Sequence, residues 1–168
     1  MAKTGKKRGW LIYVGTVGFA SGIFGFFLSL FGEELGPSQV IYFDPILSIF
    51  GGRMSLVKDG FYYGYTFSMN LPMIMLLMVF IIGIFASLSA RNSPKSIGLT
   101  LVLFLLSFAG LILSRYIFMA VNPSGTGSGL IFGIGFYVAA IGLGVGAFFT
   151  ILELVLSIRF WHRRDQFR

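Results

Sequence analysis

Two ionisable side chains stand inside otherwise apolar stretches of this 168-residue sequence, and any chemistry within those stretches begins with them. Glu153 follows Gly146 by seven residues and Ala139 by fourteen. Steps of seven return to nearly the same side of a helix, so the carboxylate shares a face with those small residues. A carboxylate inside a membrane segment is by default a candidate for a proton or cation pathway, because apolar surroundings penalise it. The competing reading is structural: Arg159 lies about one and a half turns further on, and Arg91 and Lys95 fall toward the same membrane face. A conducting path generally needs more than one such group, which favours the structural reading. Arg115 sits near the end of its apolar stretch, where a long stem lets the guanidinium reach out to a headgroup. Its candidate loop partners are Glu33, Glu34, Asp44 and Asp59.

The rest of the catalytic vocabulary is missing. The sequence has no H-E-x-x-H, no G-x-S-x-G and no G-x-x-x-x-G-K-[ST]. It has no cysteine, which excludes disulfides, thiolate metal sites and thiol redox chemistry. Its one histidine, His162, excludes bis-histidine haem ligation within a single chain. The glycine runs at Gly133–Gly135 and Gly142–Gly146 lie inside an apolar stretch with no preceding strand, so packing explains them better than phosphate binding. No cofactor, no metal and no catalytic activity are expected.

The elements that must position these residues are membrane helices. Hydrophobic residues make up 56% of the chain and charged residues 11%, against roughly 25% charged in soluble domains. Four stretches are long enough to span, at about 10–31, 71–90, 97–121 and 129–158, each matching a hydrocarbon core of ~30 Å. The expected fold class is an all-α integral membrane protein, a single four-span bundle over residues 1–168. Its long outer loop, 32–70, is expected to hold a short interfacial helix. The first stretch follows a basic run as a signal peptide would, but at about 22 residues it exceeds an h-region of ~7–15, and a retained helix is expected.

Small residues mark how the helices should meet. Gly15, Gly18, Gly22, Gly25 and Ser29 are spaced three, four, three and four apart, and Gly135, Ala139, Gly142 and Gly146 four, three and four. Such series make nearly straight stripes, and in lipid, helices associate by close backbone packing along them. The first and fourth spans run antiparallel and should pack stripe to stripe, with a left-handed crossing near +20°. Gly133 and Gly144 would widen the second stripe, and Phe26 would lie on another face.

In the long loop, Asp44-Pro45 reads as an N-cap followed by proline at N1, with Gly51-Gly52 ending a short helix on the outer interface. A second turn through Met54–Val57 would follow. Phe61, Tyr62, Tyr63, Tyr65 and Phe67 would then form an aromatic belt at headgroup level. The short loop, Asn122–Ser128, is turn chemistry.

Ten of the thirteen cations lie in the two tails and the Arg91–Lys95 loop, on one side of a four-span topology. The positive-inside rule puts both termini in the cytoplasm. Flanking charges of this kind set topology and attract anionic lipid; they are not a nucleic-acid groove. A missing N-x-[ST] sequon favours a prokaryotic plasma membrane. The expected function is a non-enzymatic structural or accessory subunit of a membrane assembly, or a homo-oligomeric scaffold, acting through helix packing. The alternative is a small oligomeric channel or transporter using Glu153. A quinone-reactive subunit is the weakest reading, because this chain lacks redox ligands.

Overall fold

The computed structural model describes residues 9–36, 39–89, 94–122 and 130–165, with side chains for 13–35, 39–89, 94–122 and 130–159. In chain order the elements are α1 (Gly9–Phe27), β1 (Phe31–Gly36), β2 (Gln39–Tyr42), α2 (Pro45–Phe50), β3 (Gly52–Lys58) and β4 (Phe61–Phe67). They continue with α3 (Leu71–Ser89), α4 (Pro94–Val121), β5 (Leu130–Phe132) and α5 (Ile134–Asp165). The chain is mostly helical. Helices α3, α4 and the Ile134–Arg159 part of α5 are long and apolar enough to cross a membrane, and α1 contributes a shorter apolar segment, Tyr13–Phe27.

The helices form a ring in which α1 packs on α3 and α5, and α4 closes the other side against the same two. Helix α4 shows why. Its buried residues are Ile97, Thr100, Phe104, Ser107, Leu111, Ser114 and Phe118, alternating three and four apart. Large side chains and small hydroxyls each recur every seven, which makes a straight seam of knobs and gaps. Helix α3 turns Met73, Leu76, Phe80, Gly83 and Ser87 inward with the same alternation.

The expectation of an all-α chain is corrected at one end of this ring. Among the described residues, five strands form a cap there. β1 lies between β2 and β5 in one antiparallel sheet, and β3 pairs with β4 in a hairpin. The segment read as a second helical turn, Met54–Val57, belongs to β3, which pairs residue for residue with β4 from Gly52↔Phe67 to Lys58↔Phe61. The deciding feature is the two-residue connection. Asp59 and Gly60 both have positive φ, 51° and 80°, as a type I′ turn requires, and Asp-Gly supplies it at little steric cost. The short helix α2 is present: Asp44 accepts from the amides of Ile46 and Leu47, proline opens the helix, and Gly51 closes it.

The strands also move the helix ends. α1 stops at Phe27, short of residue 31, because Phe31 enters β1. α5 begins at Ile134 because Leu130–Phe132 pair with Phe31–Glu33. At its far end α5 runs on to Asp165, beyond residue 158. Of the five aromatics read as a belt, Tyr65 and Phe67 are buried in the cap core, while Phe61 and Tyr62 are exposed near the hairpin tip. Phe43 gathers that core, with ring centroids 5.1 Å from both Tyr65 and Phe67 and 5.9 Å from Phe118 of α4. The basic N-terminal run, Arg91, Arg168 and most of the short loop lie outside the described residues, and Arg163 and Arg164 are described only as backbone of α5.

Candidate functional site

Between α1 and α5 the two helices approach closely, and the contact is made by backbone. A methyl group placed on Gly18 would stand 2.8 Å from the carbonyl oxygen of Gly142 and 2.9 Å from Cα of Gly146. One placed on Gly25 would collide with the Gly135 carbonyl oxygen and lie 2.8 Å from Cβ of Ala139. From the other side, Gly142 faces Ser21 and Gly146 faces Gly18. These positions have no room for a side chain, so two backbones touch where ordinary helices are held ~8–10 Å apart by theirs.

The contact does not stop where the helices do. Ser29 accepts a hydrogen bond from the Gly135 amide through its carbonyl (3.0 Å), and Leu30 accepts one from Gly133 (2.8 Å). Beyond them β1 and β5 continue the same antiparallel pairing, Phe31↔Phe132 to Glu33↔Leu130. Strands pair at ~4.7–4.9 Å. Chains leaving two helices can reach that spacing at once only if the helices are already close, and the glycines provide this. The segments α1–β1 and β5–α5 therefore form one antiparallel ribbon along their length.

The structure divides the first small-residue series between two neighbours. Gly18 and Gly25 meet α5, whereas Gly22 lies against the Phe80 ring of α3, 2.9 Å from a methyl placed on it. Gly15 lies between Ser87 of α3 and Thr150 of α5, with such a methyl 2.8 and 3.4 Å from their hydroxyl oxygens. Gly144 has no such neighbour within 4 Å and takes no part in the contact.

The sequence reading passed over the aromatic residues that fill the axis. Phe19 fits the notch left by Gly83, and its ring stacks on Phe104 with centroids 3.9 Å apart. Phe104 in turn lies against Gly146 and Gly18. Phe26 meets Phe80 edge to face at 5.2 Å and is 1% exposed, so it is a core residue and not a peripheral one. The signal was available: Phe19 and Phe26 are seven apart, as are Phe104, Leu111 and Phe118.

Polar groups in the ring of helices are mostly satisfied locally. Thr150 donates to the Gly146 carbonyl at 2.8 Å, Thr100 to Ser96 at 3.1 Å, and Thr16 to the Ser87 hydroxyl at 3.3 Å. Glu153, one turn beyond Thr150, is half-buried and has an interaction partner. Arg115 stands 5.9 Å from the centre of the Phe132 ring, a cation–π approach to β5. Three of its expected carboxylate partners are engaged elsewhere. Asp44 caps α2, Asp59 accepts from Gln39 at 2.8 Å, and Glu33 accepts the Tyr65 hydroxyl. Burial, and then that carboxylate, push the Tyr65 phenol well above its ordinary range. Among the described residues no cluster of three or more His, Cys, Asp or Glu could hold a metal ion.

No protein-family model matches the chain, and no curated protein matches it. Its function is therefore read from geometry.

Proposed function

We propose that this chain is a non-enzymatic four-span membrane protein that acts by packing, as a structural or accessory subunit of a larger membrane assembly or as a homo-oligomeric scaffold. In this reading α1 crosses the bilayer beside the three longer helices, in a prokaryotic plasma membrane. Both termini are cytoplasmic, and their basic tails rest on anionic lipid. The observation that carries it is the filled axis. Phe19, Phe26, Phe80, Phe104 and Phe118 are all 0–1% exposed, and a route through the centre of one copy would have to displace stacked rings. Beside them the Thr100, Ser114 and Thr150 hydroxyls donate to backbone carbonyls of their own helices, while the buried Ser107 hydroxyl has no hydrogen-bond partner among the described residues. An interior of this kind supports holding a shape over moving a solute.

The competing reading is a small oligomeric channel using Glu153, and the half-buried position of that carboxylate favours it. Glu153→Gln separates the two. For a packing subunit, the protein purifies gently as part of a larger mass, proteoliposomes show no proton or cation flux, and the variant assembles like the parent. A parent that conducts, with conduction lost in Glu153→Gln while the fold survives, overturns the proposal.

A further inference from the structure

The cap carries an apolar surface that the core does not use. Ile46 and Phe50, four apart on one face of α2, are about half exposed, while Ser48 and Ile49 of the same helix are buried. Helix α2 packs on both α1 and α3, at the cap end of the seam between them. Its C-terminus is joined to the start of α3: the Asn70 amide donates to the Ile49 carbonyl at 2.9 Å, and a methyl on Gly51 would lie 3.0 Å from the Met69 nitrogen. The C-terminal end of α2, where Phe50 is exposed, therefore adjoins the start of α3, and the apolar surface extends through Met69 and Leu71, both more than half exposed. From there it continues into the outward apolar face of α3, where Met75 and Ile82 are also exposed.

We infer that α2 is immersed in the bilayer at its cap-side boundary, with Ile46 and Phe50 among the upper acyl chains and Asp44 at headgroup level. This rests on the membrane reading above. Continuity names the occupant, because whatever solvates the outward face of a membrane-crossing α3 meets α2 without a break. A second copy fits less well. Seated on α2 alone it would bury two large side chains, far short of the ~800 Å² that a stable interface covers on each partner. A helix lying in the interface plane buries its apolar face ~5–10 Å into the headgroup and acyl boundary.

The test uses single tryptophans in a Trp10→Phe, Trp161→Phe background, reconstituted in phosphatidylcholine vesicles brominated at shallow or deep acyl positions. Phe50→Trp and Ile46→Trp should be quenched at least about twofold more by shallow than by deep bromines. Ile82→Trp, in the middle of α3, should show the reverse order. If Ile82→Trp is quenched by deep bromines and neither α2 tryptophan is quenched, α2 faces water or protein and the inference is overturned while the membrane reading stands. If Ile82→Trp is not quenched by either lipid, both fall.

Discussion

The α1–α5 and α3–α4 contacts solve one problem by different means. Between α1 and α5, glycines face backbone: Gly18 meets Gly142 and Gly146, and Gly25 meets Gly135. Between α3 and α4, a glycine faces a side chain: a methyl on Gly110 would stand 2.6 Å from Cδ1 of Leu76, the far end of a flexible group. In the proposed membrane setting lipid would reward neither contact for hiding apolar surface, so both would rely on fit. The first fit is rigid, since a carbonyl in a helix has nowhere to go. The second is adjustable, since Leu76 has other rotamers. The rigid side also carries the strand pairing into the cap, which requires close and fixed backbones.

Three substitutions test the difference between the two contacts. The largest loss is expected for Phe104→Ala, because Phe104 is the ring shared by both halves, stacked on Phe19 and seated on Gly18 and Gly146. Removing it should cost about 3–5 kcal/mol, read as thermal unfolding in detergent. A parent-like melting curve would mean that the axis is not packed as described. Next comes Gly18→Ala, expected to cost about 1–3 kcal/mol because its methyl meets backbone on two sides. The smallest effect belongs to the same chemical change at Gly110, where Leu76 can turn aside and alanine's better helix propensity offsets part of the strain. Gly110→Ala should stay within about 1 kcal/mol of the parent. Equal melting of the two alanine variants would erase the distinction between rigid and adjustable contacts.

The legible parts of the fold were those encoded in short-range pattern. The Asp44-Pro45 start and Gly51 end of α2 could be read because a cap is a contact between near neighbours. The apolar stretches could be read because crossing a bilayer is a matter of length and composition. The hairpin was missed although Asp59-Gly60 sits between runs of strand-forming residues, because the aromatics after it also suit a membrane interface. β1 and β5 left no such trace. Phe31–Glu33 of β1 pair with residues about a hundred positions away, and three-residue β5 has no periodicity to detect. The candidate site divides in the same way. The spacing of Gly18, Gly25, Gly135 and Gly142 was visible, but the turning of Gly22 toward α3 was not, since one stripe of small residues can serve two neighbours.

The sequence alone established that long apolar helices would dominate, that they would carry small residues at helical spacing, and that no cysteine was present for thiol chemistry. These follow from composition and from periodicities of three and four, which every residue obeys wherever its neighbours lie. Only the folded arrangement decided which helix each glycine touches, that phenylalanines fill the axis, and that the bundle ends in a β-cap joining segments about a hundred residues apart. Those outcomes depend on which surfaces meet. A glycine's absent side chain says that something comes close, and only the fold says what.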